Sequence, residues 1–122
     1  MKNIVAALIA SVSFIVCPAA KADIVTDWTD FGRVMEAGED TPRSPGRFFA
    51  QTHLALAMFE AANLIDRRYE SYLGLEAADQ SASVDAAVMA AALDVLKAYY
   101  PNREQDIERS FELALSILEQ GP

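Results

Sequence analysis

The sequence predicts an all-α protein of about four helices that follow a cleaved signal peptide. Two observations predict this fold class. Four stretches carry apolar residues three or four positions apart, and each is bounded by capping residues, proline or glycine. No stretch shows sustained alternation of apolar and polar residues, and none carries a hairpin signal.

The first 22 residues have the pattern of a cleavable export signal. Met1–Asn3 supplies a short positive start, and Ile4–Val16 is an uncharged apolar run. Ala20 and Ala22 then place small residues at the two positions that a signal peptidase reads. We expect cleavage after Ala22, which makes residues 1–22 the signal peptide and sends the protein to the periplasm or the medium.

Two alternatives to cleavage at that position remain open. One is an uncleaved membrane anchor, although the 13 apolar residues fall short of the roughly 20 that a spanning helix needs. The other is a lipoprotein signal ending at Cys17, where Val16 stands in place of the usual small residue. We expect no membrane span in the chain after signal cleavage.

The composition of residues 23–122 excludes several classes of function. All 18 acidic residues lie at or beyond Asp23, against 8 basic residues, so the expected net charge is −10. Such a surface disfavours nucleic acid and anionic membranes, because phosphate groups are bound by basic residues. The single cysteine, Cys17, lies in the predicted signal, which leaves no thiol for a disulfide, a nucleophile or a metal site.

The first two helices are predicted from capping residues and apolar spacing. Thr26 or Asp27 can cap the first helix, and Gly38 ends it before a polar loop over Glu39–Arg43. Ser44 followed by Pro45 is typical of a helix start. This first helix buries Trp28, Phe31 and Met35, and the second runs to about Ile65 with an apolar face of Leu54, Met58, Ala61, Ala62 and Ile65.

The last two helices follow an irregular connection over Asp66–Asp79. The third helix starts near Ser81 or Ser83, and Pro101 stops it. Asn102 can cap the fourth helix, with Gln105 three residues later as in a capping box. The predicted stripe of the third helix is Val84, Val88, Ala91, Ala92, Val95 and Tyr99, and that of the fourth is Ile107, Phe111, Ala114, Leu115 and Leu118.

The second helix is apolar nearly all round, yet it carries one polar stripe. Such a helix is normally buried on several sides, so its polar groups must be satisfied by neighbouring groups. It also leads us to expect an exposed apolar patch that faces a partner. The stripe covers an arc of roughly 100° and consists of Thr52, His53, Glu60, Asn63 and Arg67.

The stripe allows a reactive or a structural interpretation. In the first, His53 and Glu60 form a catalytic or metal site, but they lie about 10 Å apart along the helix and lack the pairing that metal sites use. In the second, His53 and Asn63 form hydrogen bonds with a neighbouring helix or loop. We favour the structural interpretation, and the residues alone predict no catalytic, cofactor-binding or metal-binding side chain. Arg67 and Arg68 are a weak candidate for a phosphate site, because such pairs commonly bridge surface carboxylates.

Several segments, in their order and spacing, resemble a known family. Asp27-Trp28 is followed by Thr41-Pro42-Arg43, by the helix 53–65 (HLALAMFEAANLI) and by 68–72 (RYESY). An alanine-rich helix ending at Tyr100-Pro101 comes next. This order resembles the N-terminal helical region of bacterial vanadium-dependent haloperoxidase-like proteins, of the type 2 phosphatidic acid phosphatase superfamily, and covers about residues 23–120. Ser71 stands where that family usually has proline.

The resemblance implies a non-catalytic segment. In the family, vanadate or a phosphoryl group is held by Lys-x6-Arg-Pro, Pro-Ser-Gly-His and Ser-Arg-x5-His motifs, none of which occurs here. We therefore expect an inactive N-terminal part, or a truncated relative, of an exported haloperoxidase or phosphatase, packed in a larger helical bundle against the missing catalytic helices. Vanadate would bind only in the full-length parent. The alternative is a self-sufficient exported helical module that binds another protein or a ligand; the oligomeric state stays open.

Overall fold

The computed structural model describes residues 23–38 and 45–120, and over these residues the regular structure is entirely helical. The all-α prediction and the number of helices are confirmed. The predicted signal peptide and the loop at 39–44, including Ser44, lie outside the described residues. The helices are α1 (Ile24–Ala37), α2 (Ala50–Ile65), α3 (Val84–Tyr99) and α4 (Glu104–Gln120), with 3₁₀ turns at Pro45–Phe49 and Pro101–Arg103.

Helix α1 begins three residues earlier than a Thr26 cap predicts and four earlier than an Asp27 cap predicts. The Asp23 side chain accepts a hydrogen bond from the Thr26 backbone N–H at 2.9 Å, so Asp23 is the cap. Thr26 and Asp27 therefore lie in the first turn, and the prediction that one of them caps the helix is wrong. Gly38 ends the helix as predicted, and its N–H donates to the Val34 carbonyl at 3.0 Å.

The remaining boundaries depend on local signals and mostly agree with the sequence. The predicted start of the second helix at Pro45 is wrong: Pro45–Phe49 forms a 3₁₀ turn, and α2 begins at Ala50. Its end at Ile65 is as predicted. The Ser83 hydroxyl caps α3 by accepting from the Ala86 N–H at 3.2 Å. The predicted cap of α4 is wrong, because Asn102 lies inside a 3₁₀ turn and Arg103, not Asn102, directly precedes the helix.

Helix α3 is central, since α1, α2 and α4 all pack against it. The core combines the predicted faces of α1, α2 and α4 with a broader face of α3 than predicted. Met89 and Leu96, outside the predicted stripe, are fully buried because α3 is covered on three sides. The buried core consists of Trp28, Met35, Ala50, Leu54, Met58, Val88, Met89, Ala92, Leu96, Tyr100 and Ile107.

A close approach between α1 and α2 depends on Gly32. A Cβ atom at this position would lie 2.7 Å from the Leu54 Cδ2 atom and 3.0 Å from the Gln51 Nε2 atom. Those distances are shorter than van der Waals contact, so a larger residue would have to displace the Leu54 and Gln51 side chains. Gly32 is therefore a packing residue.

Large apolar side chains also remain exposed. An exposed apolar patch was predicted for the second helix. Phe59 on α2 is exposed, as are Phe48 and Phe49 in the 3₁₀ turn before it, and Phe48 is 76% exposed. On α4, Leu113 and Ile117 are 64% and 63% exposed. Within the described residues, no helix combines the length and apolar character needed to cross a bilayer.

Candidate functional site

The polar stripe of α2 divides into buried and exposed residues. Glu60 and Asn63 are 3% and 4% exposed. Thr52, His53 and Arg67 are exposed to solvent. Only the two buried residues therefore need protein partners, and both find them in the connection that follows α2.

Glu60 is a buried carboxylate that accepts three hydrogen bonds from one turn. The Ser71 hydroxyl donates to its Oε2 atom at 2.7 Å, and the backbone N–H groups of Tyr72 and Leu73 donate to Oε1 at 2.6 and 3.1 Å. The Ser71 hydrogen bond, together with those two N–H groups, lowers the pKa of Glu60 from its ordinary value. The carboxylate is thus held ionised and nearly saturated with donors.

Asn63 holds the beginning of the same connection. Its Oδ1 atom accepts from the backbone N–H groups of Arg68 and Tyr69 at 3.2 and 3.0 Å. Its Nδ2 atom donates to the Tyr69 carbonyl at 2.9 Å. The hydrogen bonding of Asn63 to a neighbouring loop, as the structural interpretation predicted, is confirmed.

Together, Glu60, Asn63 and the turn at 68–73 form a unit that we call the clasp. The turn closes through the Ser71 hydroxyl, which accepts from the Leu75 N–H at 2.9 Å, and through Gly74, whose φ of 69° suits glycine. Tyr72 is 78% exposed at the surface of the clasp. A general acid or base needs a pKa near the working pH, whereas the pKa of Glu60 is lowered away from it. The clasp is therefore suited to fixing a loop.

His53 takes part in a separate contact. Its Nδ1 atom is hydrogen bonded to the Tyr99 hydroxyl of α3, as predicted, and its ring stacks on Phe49 with centroids 6.2 Å apart. Glu60 turns to the clasp instead, so the structure does not bring His53 and Glu60 into one site. No group of three or more His, Cys, Asp or Glu side chains that could hold a metal ion is present within the described residues.

The two arginines after α2 are engaged at the surface. Arg68 forms an ion pair with Asp66 at 2.7 Å, and Arg67 makes a long contact, 3.4 Å, with the Leu75 carbonyl. Arg68 thus pairs with a surface carboxylate, as such arginines commonly do. Their arrangement does not favour a phosphate site.

The described residues also do not fit vanadate. An oxyanion site needs cationic side chains and N–H donors that converge on one point. Lys97 is bound to Glu104 and Glu108 of α4 at 2.7 and 2.5 Å, and these carboxylates raise its pKa. His53 is hydrogen bonded to Tyr99, so Lys97 and His53 are committed to separate contacts and do not converge on one oxyanion site.

A groove between α1 and α4 was not predicted from the sequence. It has a volume of about 610 Å³, and Met89 of α3 lies among its apolar lining residues. We call it the α1/α4 groove. The sequence does show the acids in the first turns of α1 and α3, Asp27 and Asp85. That these acids line one groove depends on how the helices pack, which the sequence pattern does not show. The groove is lined by Asp23, Ile24, Asp27, Asp85, Met89, Ala114, Ile117 and Leu118.

Comparison with known proteins gave no match, whether to a family model, to a curated sequence or to a solved structure. Function must therefore be inferred from the clasp, the groove and the sequence pattern.

Proposed function

We propose that residues 23–122 form the non-catalytic N-terminal segment of an exported vanadium-dependent haloperoxidase- or acid phosphatase-like protein, with residues 1–22 directing its export. The observation that supports this most directly is the clasp. Two of the segments that carry the resemblance, the helix 53–65 and the turn 68–72, are joined to each other through Glu60 and Asn63. Their residues act together as a scaffold.

The chemistry of the clasp supports a scaffolding role. A buried charge is costly unless it is fully hydrogen bonded, and Glu60 has that compensation from Ser71, Tyr72 and Leu73. Such a group fixes the backbone, and three of its roughly four lone-pair sites are already used by the turn. Under this proposal, the vanadate or phosphoryl site belongs to the catalytic helices of the parent protein.

The exposed apolar side chains support a covered position for this segment. Phe48 of the first 3₁₀ turn and Leu113 of α4 each leave more than 60% of their surface in solvent and lie on different elements. Apolar surface on several elements is typical of a region that packs against other helices. The catalytic helices of the parent would provide that cover.

An activity assay tests this proposal. The exported protein is incubated with a phosphate monoester, and separately with bromide and hydrogen peroxide, each with and without vanadate. We expect no turnover above the buffer control in either assay. Turnover by the purified chain would refute the proposal, whereas an in-frame continuation of the gene encoding Pro-Ser-Gly-His would support it.

The α1/α4 groove favours a second candidate function, a self-sufficient exported module that binds another protein or a ligand. Two measurements distinguish it from the first. Cooperative unfolding of the isolated chain and a stop codon after Pro122 favour the module. Strong binding of a hydrophobic dye, with non-cooperative unfolding, favours the uncovered segment of a larger protein.

A further inference from the structure

We propose that the α1/α4 groove binds a basic amphipathic helix of a protein partner. The apolar face of that helix would enter the groove, and its lysine or arginine side chains would pair with Asp27 and Asp85. This inference depends on the geometry and charge of the groove. It therefore holds whichever of the two functions above is correct.

The apolar part of the groove is suited to side chains of a helix. Its apolar lining includes Ile24 of α1, Met89 of α3 and Leu118 of α4. Trp28 and Phe111, whose ring centroids are 6.4 Å apart, join α1 to α4 farther along the two helices. Ile117 adds an apolar rim that is 63% exposed. An open groove with an apolar base is the surface that amphipathic helices recognise through residues one and two turns apart.

The charge of the groove selects a cation. All three ionisable side chains that line it are aspartates: Asp23, Asp27 and Asp85. Acids in the first turn of a helix commonly offset the helix dipole, so part of the negative charge of these aspartates is already compensated. The amino ends of α1 and α3 together supply about +1 charge. Three carboxylates exceed that by about two negative charges. The amino group that signal cleavage would leave on Asp23 offsets about one of these, and the groove stays acidic.

The same charge argues against other occupants. In a symmetric dimer formed through this face, Asp27 and Asp85 would meet the acidic rim of the other copy, and like charges facing each other are destabilising. Anionic lipid headgroups would be repelled in the same way. A partner with an apolar face and basic flanks satisfies both the apolar and the charged part of the groove.

A peptide-binding experiment tests the proposal. Two labelled amphipathic peptides of about 14 residues, or four helical turns, are titrated with the exported protein and followed by fluorescence anisotropy. One contains leucine and lysine, and the other has glutamate in place of each lysine. We expect the lysine peptide to bind at least about tenfold more tightly, with the difference shrinking as salt is raised.

Surface variants assign the binding to the groove. The double variant Asp27→Asn, Asp85→Asn should weaken binding of the lysine peptide by about three- to tenfold, because each substitution removes one exposed ion pair. Ile117→Ser should weaken it by about tenfold through lost apolar contact. Asp94→Asn and Val34→Ser are the matched controls, since both residues are exposed and lie outside the groove.

Three outcomes would overturn the proposal. The first is equal affinity for the lysine and glutamate peptides. The second is a loss of affinity in the control variants as large as that in the groove variants. The third is sedimentation showing a dimer that Ile117→Ser dissociates and that excludes the peptide, which would assign the groove to a second copy of this chain.

Discussion

Replacing Asn63 with alanine tests whether the clasp stabilises the fold. The substitution removes three hydrogen bonds, from the Arg68 and Tyr69 N–H groups and to the Tyr69 carbonyl. Each such bond contributes about 0.5–1.5 kcal/mol net. Because the connection is exposed, water can reach part of the freed backbone, and we expect a loss of about 2 kcal/mol rather than the maximum.

Urea unfolding followed by circular dichroism measures this loss. In thermal unfolding of a domain of about 100 residues, the same loss of 2 kcal/mol corresponds to a decrease of roughly 8–16 °C in Tm. Asn102→Ala is the matched control, because Asn102 is exposed and lies outside the clasp, in the 3₁₀ turn before α4. Limited trypsin digestion gives an independent result, since cleavage after Arg68 should become faster when the turn is released. An Asn63→Ala protein within about 0.5 kcal/mol of the parent, with unchanged cleavage, would show that the clasp does not hold the connection.

Three further changes have defined outcomes. The pKa of Glu60 is lowered, so the contribution of Glu60 to stability is complete above the ordinary pKa of 4.5 and is lost as the pH falls through the lowered pKa. In thermal melts from pH 7 to 3, the melting temperature should therefore decrease less for Glu60→Gln than for the parent. Met58→Ala should cost about 2–5 kcal/mol in urea unfolding because Met58 is fully buried, whereas the exposed control Leu113→Ala should change stability by less than about 0.5 kcal/mol. Gly74→Ala should cost about 1 kcal/mol through its positive φ alone, since no atom lies within 4 Å of the added Cβ, and Gly74→Asn should cost less; equal melting temperatures for the two variants would contradict this.

Local signals predicted most of the fold. The end of α2 at Ile65, the Ser83 cap and the stop before Pro101 each depend on residues within one helical turn, and the structure has all three. The cap of α1 was misplaced because Asp23, Thr26 and Asp27 are all competent caps, and only the backbone path selects among them. The burial of Met89 and Leu96 could not be predicted, since it results from three helices packing on α3.

The candidate sites show where sequence reasoning stops. Periodicity placed Glu60 and Asn63 on one arc with His53, but it could not show that the chain folds back after Asp66 and brings N–H donors to the two buried residues. The turn at 68–73 has no regular repeat from which its path could be inferred. The α1/α4 groove is likewise a product of tertiary packing, because its acids lie about 60 residues apart in the sequence.

The position of the single tryptophan has a practical consequence. Trp28 is 4% exposed, contacts Phe31 edge-on at a centroid distance of 5.5 Å, and lies next to Asp27 of the groove. Its fluorescence emission therefore belongs to one known environment, shielded from water in the folded state. Unfolding should shift that emission to the red, while a partner entering beside Asp27 should alter its intensity without that shift. The protein thus carries an intrinsic optical reporter that separates loss of structure from occupancy, without any added label.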